Sequence, residues 1–156
     1  MSVLRTNKIY PRDGLPAGAS GGGIIQIVHS QRTTESGSTT STTYTDTGLS
    51  VSITPQSASN KILIQGDLPV FKGNEDGAIK IRLLRDSTTI YEDTNYLADQ
   101  ATLNILLHGA LLYIDSPATT SAITYKVQYA ARDSGEDVNF GYGGAPSALV
   151  AMEISG

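Results

Sequence analysis

The 156 residues are enough for one domain with a buried core. Eleven Lys and Arg against fifteen Asp and Glu give a formal net charge of −4, and without a dense basic patch this argues against nucleic acid as a partner. The chain has no cysteine, so it holds no disulfide framework, zinc ribbon or thiol nucleophile. Since the start lacks the apolar core of a signal peptide and no run approaches transmembrane length, we expect synthesis in the cytosol and no membrane insertion.

Residues 1–23, MSVLRTNKIYPRDGLPAGASGGG, differ in kind from the rest of the chain. They are rich in glycine, are interrupted by Pro11 and Pro16, and have no helical or strand period. A floppy leader is the usual fate of such a terminus. We favour an extended attachment arm that docks on another chain. The apolar side chains expected to be buried in that partner are Val3, Leu4, Ile9, Tyr10 and Leu15.

Short alternating runs predict the strands of the first two thirds of the chain. In order, the predictions are Ile24–Gln31, Tyr44–Asp46, a turn at Thr47–Gly48, Leu49–Thr54, Lys61–Gln65, a break at Gly66, Leu68–Phe71, Ala78–Arg85 and Thr88–Glu92. The Ser/Thr run 33–43 is interpreted as a loop that leads into an edge strand. Pro69 is expected to mark an edge or an irregularity, since proline donates no ladder hydrogen bond.

Two runs near residue 115 form the centre of the predicted sheet. In Ile123–Ala130, apolar and polar residues alternate strictly, as a half-buried strand requires. Leu103–Ile114 is apolar on both faces, which predicts a place near the middle of a sheet, and Gly109 suggests a bulge within it. Val138–Tyr142 and Ser147–Ile154 are the last strands predicted. Ala148, Val150, Met152 and Ile154 share one face of the final strand.

Turn signals recur about every dozen residues, which is typical of a sandwich or barrel. No convincing helix is found. The sequence therefore predicts an all-β fold: an antiparallel, jelly-roll-like β-sandwich over residues 24–156, preceded by the Gly/Pro-rich arm 1–23. The order of the strands cannot be read from the pattern.

Catalytic and metal-binding patterns are weak. Neither His29 nor His108 stands near a nucleophile motif, and two histidines without cysteines make a zinc site improbable. We therefore predict no catalytic, cofactor or metal residues. Tyrosines at loops suggest a surface that stacks on sugars or on a partner protein, although tyrosines also populate the rims of any β protein. The candidate exposed binding loops contain Asn95, Tyr96, Asp99 and Gln100, with the loop 93–101 around them, and Tyr142.

Four segments resemble short tail-fibre or virion structural proteins of tailed bacteriophages, especially those of marine and cyanobacterial hosts. They are TTYTDTGLSVSITPQSASNKILI (42–64), IKIRLLRDSTTIY (79–91), YIDSPATTSAITYKVQYAA (113–131) and VAMEISG (150–156). Their order along residues 42–156 is more specific than any one of them. The leader segment LRTNKIYPRDG (4–14) resembles the entry segments of fibre-like phage proteins.

The resemblance implies a non-enzymatic, β-rich virion component that forms a homotrimer. The arm would attach it to other virion proteins, and the sandwich would project towards a host surface glycan or protein. A strand that is apolar on both faces fits such an assembly, because a subunit interface would cover its second face. The alternatives are a capsid decoration protein and, from another class, a carbohydrate-binding β-sandwich module.

Overall fold

The computed structural model describes residues 23–73, 77–93, 98–100 and 104–156, with only the backbone described at 98–100. Almost all of these residues lie in strands or in the turns between them. The strands are β1 (Ile24–Arg32), β2 (Ser38–Thr39), β3 (Thr45–Ile53), β4 (Lys61–Lys72), β5 (Gly77–Arg85), β6 (Thr88–Glu92), β7 (Ala98–Gln100), β8 (Ile105–Asp115), β9 (Ile123–Ala131), β10 (Val138–Phe140) and β11 (Ser147–Ile154). A single 3-10 turn covers Tyr142–Gly144.

Two antiparallel sheets form the sandwich. The first sheet has the order β1-β11-β4-β8. Near the C-terminal end of β4, on the same side as β11, β10 pairs with β4 and β2 pairs with β10. The second sheet has the order β3-β9-β5-β6, and β7 also pairs with β5. The eight strands of five or more residues pass from one sheet to the other at every connection except the hairpin between β5 and β6, as in two Greek keys, which is the jelly-roll arrangement. The predicted antiparallel, jelly-roll-like sandwich is confirmed.

The core lies between the inner faces of these sheets. β9 shows the predicted alternation, with Ile123, Tyr125, Val127 and Tyr129 all buried and the residues between them more exposed. Ile62 and Ile64 of β4 and Ile79, Ile81 and Leu83 of β5 belong to the same buried cluster. This cluster stabilises the sandwich because burial of apolar area contributes about 25 cal/mol per Å².

β4 is one continuous strand, so the expected break at Gly66 is wrong. Pro69 does not mark an edge either, because β8 pairs with β4 along the whole of one side. On the other side, β11 pairs as far as Asp67 and β10 begins at Val70. Pro69 lies in the gap between these two partners, where its missing N–H costs no ladder hydrogen bond.

β8 is also straighter and more peripheral than the sequence predicts. It pairs with β4 residue by residue from Ile105 to Asp115, without a register shift, so the bulge at Gly109 is wrong. Gly109 is buried and pairs with Leu68. Within the described residues β4 is the only strand that pairs with β8, which puts β8 at a sheet edge and not near the middle.

The predicted turn at Thr47–Gly48 lies inside β3, where the register against β9 shifts between Asp46 and Ser50. Gly48 takes a positive φ of 78°, which glycine adopts without strain. The Thr47 hydroxyl donates to the Val127 carbonyl at 2.8 Å and accepts from the Leu49 N–H at 3.0 Å. The Thr47 side chain therefore replaces backbone hydrogen bonds that β3 and β9 lose at the register shift.

Candidate functional site: an apolar sheet face

The outer surface of the first sheet carries a patch of apolar side chains that crosses all four long strands. Residues directly opposite each other in the ladder project to the same side of a sheet. One such row joins Ile27 of β1, Met152 of β11, Leu63 of β4 and Ile114 of β8. The next row contains Val150 and Leu112. We call the patch the apolar face and define it as Ile24, Ile27, Leu63, Leu112, Ile114, Val150, Met152 and Ile154.

Several of these side chains are largely open to solvent in the single chain. Leu112 is 69% exposed, and Ile27 and Ile114 at the two ends of the row are each 57% exposed. Four strands about 4.8 Å apart and the five residues 150–154 at about 3.4 Å each bound an area of roughly 330 Å², in which Lys61, Gln65 and His29 are polar positions. This is within the range of the largest apolar patches that monomers expose, and such patches are often functional.

A buried carboxylate fixes the β1 end of the apolar face from beneath. Glu153 of β11 is 0% exposed and points inward. Its Oε2 accepts from the Gln26 side-chain amide at 2.5 Å, and its Oε1 accepts from Asn60 Nδ2 at 2.6 Å and the Gln56 N–H at 2.7 Å. Burial acts to raise the pKa of Glu153, but these hydrogen bonds outweigh it and lower the pKa. Since Gln26 precedes Ile27, the carboxylate holds the edge strand in register.

A second buried carboxylate fixes the β8 end. Asp115 is 6% exposed, and Arg85 Nη1 lies 2.9 Å from each of its oxygens. The Tyr125 hydroxyl donates to Asp115 at 2.7 Å. Burial, and then this hydrogen bond, raise the pKa of Tyr125, so the phenol keeps its proton. Because Asp115 follows Ile114, its partners position the outer side chain at this edge.

The outer surface of the second sheet is built from different residues. A row of Asp46, Gln128, Arg82 and Glu92 crosses its four strands. Gln128 donates to Asp46 at 2.6 Å and accepts from Arg82 Nε at 2.7 Å. Tyr44 donates to Glu92 at 2.8 Å, with the Arg82 guanidinium 4.2 Å from its ring centre. We call this row together with Tyr44 the polar face. Its side chains satisfy one another's hydrogen bonds.

The two histidines lie on the same outer surface as the apolar face. His108 Nδ1 is 2.8 Å from Asp67 Oδ1, with both side chains about half exposed, so its interaction is a surface contact beyond the end of the patch. The alternation of His29 with Ile25 and Ile27 predicts a place near the end of a buried face, and this prediction is wrong. It is exposed beside Val150, because β1 is an edge strand whose outer face is open.

The predicted binding residues do not assemble into one described site. Asn95 and Tyr96 lie outside the described residues, as do the attachment-arm residues Val3, Leu4, Ile9, Tyr10 and Leu15. Asp99 and Gln100 were expected in a loop, but they belong to β7, where backbone pairing with Ala78 and Gly77 sets their position. Tyr142 is 46% exposed and stacks on Phe71, with ring centres 4.3 Å apart. It is the one predicted binding side chain that the structure describes.

The sequence interpretation missed most of the apolar face. It grouped Val150 with Met152 and Ile154 but did not assign them to an outer surface, and it did not single out Leu63. The signal that was available is the apolar character of both faces of β11: Leu149 and Ala151 are buried on its inner side. In β4, Leu63 likewise stands between buried Ile62 and Ile64.

Over the part of the chain that the structure describes, no three His, Cys, Asp or Glu residues are placed to share a metal ion. The same described residues include no helix that is long and apolar enough to cross a membrane.

No protein-family model matches the chain, and no curated protein matches it. Among solved structures, it is similar to the VP2 subviral particle of infectious bursal disease virus (TM-score 0.48, 17% identity, covering 97% of this chain and 43% of that one). It is also similar to the structure of the Gt strain of the same virus, with a TM-score of 0.49 and 15% identity over 99% of this chain and 47% of that one. A third similar structure is dimeric latent PorU from Porphyromonas gingivalis, with a TM-score of 0.41 and 15% identity over 88% of this chain and 14% of that one. The chain spans less than half of each of these proteins. At these TM-scores the matches carry no argument about function.

Proposed function

We propose that this protein is a non-enzymatic structural component of a bacteriophage virion, a short tail fibre or its receptor-binding head. In this proposal it forms a homotrimer, its arm 1–23 attaches it to other virion proteins, and the sandwich projects outwards. The resemblance of residues 42–156 to phage fibre proteins motivates the virion role. Synthesis and assembly would take place in the host cytoplasm.

The apolar face is the structural observation that carries the proposal. A subunit of a permanent assembly needs an outer surface that remains covered, and obligate interfaces are more apolar than transient ones. Ile27, Leu112 and Ile114 form such a surface on a rigid sheet. The buried carboxylates Glu153 and Asp115 are fully engaged in holding strands together, which favours a structural role for them.

The experiment is mass spectrometry of purified virions of the phage that encodes the chain. We expect the chain in the particles at a constant ratio to the major tail proteins, and in the fraction that retains tails when heads and tails are separated. Its absence from washed particles would refute the virion role.

A capsid decoration protein is the alternative within the same class, since a jelly-roll domain with one apolar face can also clamp shell subunits. Copy number separates the two. Hundreds of copies in each particle would favour decoration, whereas a few tens or fewer would favour a tail appendage.

A carbohydrate-binding module is the alternative from another class, and Tyr142 is the observation in its favour. Phe71 supports one face of the Tyr142 ring, which leaves a rigid, half-exposed aromatic platform of the kind on which sugars stack. Binding of the full chain to a glycan array, lost in Tyr142→Ala and kept in Tyr44→Ala, would support this function. If the full chain binds no glycan on the array, the carbohydrate-binding function is excluded.

A further inference from the structure

We propose that the apolar face is the surface through which copies of this chain bind one another, so that Ile27, Leu63, Leu112 and Ile114 of one copy pack against another copy. The inference rests on the proposed self-assembling structural role and assigns that role to particular residues.

The composition of the apolar face favours another copy of the chain over a charged partner. None of its eight residues carries a formal charge, and charged residues are depleted in the centres of protein interfaces. Two copies can therefore approach without bringing like charges together. The charged side chains Lys61 and Asp67 lie on the same outer side of β4, one at each end of the patch, where a polar rim is expected.

The area of the patch also fits such an interface. Its extent of roughly 330 Å² is less than half of the roughly 800 Å² that each partner buries in a standard interface. The rest has to come from exposed polar side chains on the same face: Gln65 lies between Val150 and Leu112, and His29 and Gln31 lie beyond the apolar residues of β1. An apolar centre inside a polar rim is the anatomy of a specific, stable contact.

The two edge strands provide a further reason. Among the described residues, β1 pairs only with β11 and β8 pairs only with β4. The apolar face reaches both of these edges through Ile27 and Ile114. The apolar side chains therefore span the full width of the four long strands. A second copy presents a sheet face of the same width and can cover all of them, whereas a single peptide strand covers only part of this width.

The test is the molar mass of the full chain by light scattering, for wild type and two matched variants. We expect the wild type at a whole multiple of the 16.4 kDa of one chain: twice this mass if two apolar faces pack directly against each other, and three times if the faces of three copies meet around one axis. The double variant Ile27→Glu/Leu112→Glu should fall to the mass of one chain, since two desolvated carboxylates oppose burial. The control Ser50→Glu/Ser52→Glu places the same two charges on exposed β3 positions of the other sheet and should keep the wild-type mass.

A second measurement does not depend on disrupting the interface. The chain has no cysteine, so Leu112→Cys and Ser50→Cys each introduce one unique thiol at an exposed strand position. In the assembled protein, the thiol at position 112 should react with a thiol reagent at least tenfold more slowly than the thiol at position 50. Addition of Ile27→Glu should abolish the difference.

Each outcome has a distinct meaning. Equal thiol rates in the assembled protein, or a double variant that keeps the wild-type mass, would overturn the assignment of the interface to the apolar face. A folded wild type with the mass of one chain would overturn self-association altogether. None of these results determines whether the chain is present in virions. Mass spectrometry of purified virions tests that role separately.

Discussion

The apolar face and the polar face lie on opposite outer sides of one core, and four strands carry a row of four residues across each. On the polar face, Gln128 bridges Asp46 and Arg82 within 2.7 Å and Tyr44 donates to Glu92, so neighbouring side chains satisfy the whole row. On the apolar face, Ile27 and Ile114 end a row that has no polar atoms to satisfy and large exposed side chains. The polar face therefore needs no partner, whereas the apolar face gains free energy only when another surface covers it.

The difference extends beneath the surface. Two buried carboxylates, Glu153 and Asp115, face inward in one row, with Ile62 between them. They hold the strands that carry the two ends of the apolar row. The carboxylates of the polar face, Asp46 and Glu92, are exposed. Loss of a buried partner costs several-fold more free energy than loss of an exposed one, and this contrast can be tested by mutation.

The largest expected effect follows removal of Asp115. Asp115→Ala leaves Arg85 and the Tyr125 hydroxyl without their shared acceptor, and we expect a loss of about 3 kcal/mol in the free energy of unfolding. Urea unfolding at fixed protein concentration measures it. The matched control is Asp46→Ala on the polar face, which should cost less than about 1 kcal/mol. Equal losses would show that the two carboxylates are not distinguished by burial.

The next effect depends on pH and on Glu153. Its pKa is lowered in the folded protein, so its contribution to stability is complete above the unfolded pKa of about 4.3 and is lost as the pH falls through the folded pKa. Glu153→Gln turns an amide N–H₂ towards hydrogen-bond donors and should cost about 2 kcal/mol near pH 7. The difference from wild type should shrink on acidification. Parallel stability curves from pH 7 to pH 3 would contradict this account.

A smaller effect is expected on the polar face itself. A double-mutant cycle of Arg82→Ala and Gln128→Ala should give a coupling of about 0.5 kcal/mol, because exposed polar pairs contribute little. The individual variants should keep the wild-type molar mass. A coupling well above 1 kcal/mol would mean that the row is desolvated in the assembled protein, and the polar face would then also be an interface.

The smallest effect is expected from deletion of residues 1–22. The buried core cluster extends from Leu49 to Ala151, so the midpoint of thermal unfolding should change by less than about 2 °C. The shortened chain should keep its molar mass if the apolar face alone holds the copies together. A fall to the mass of one chain would show that self-association also requires residues 1–22. The apolar face would then not be sufficient for assembly.

The sequence predicted the local structure well where the alternation was strict. Ile123–Ala130 is a strand with its apolar side inward, and the predicted strand Ala78–Arg85 lies within β5, where Ile79, Ile81 and Leu83 are buried. The errors occurred where one glycine was given a local meaning, as with Gly66 and Gly109. Neither interrupts its strand, because β4 and β8 pair residue by residue through both positions.

The candidate site was harder to predict than the fold. Of the predicted binding side chains, the structure describes Tyr142 alone, and Asp99 and Gln100 lie in a strand that the sequence did not predict. The short run 98–100 carries no alternation long enough to show a strand. Its pairing with β5 is a contact between distant parts of the chain, which no local pattern records.

The alternation along the chain was enough to predict many short strands and which residues share a face of each strand, because side chains alternate with a period of two. Which of those faces is the outer one depends on how the two sheets pack. Val150 and Met152 alternate with Leu149 and Ala151, and both sets are apolar. β11 lies beside the edge strand β1 with its Leu149 side towards the second sheet. The side that faces the second sheet became the core, and its equally apolar opposite became an exposed surface.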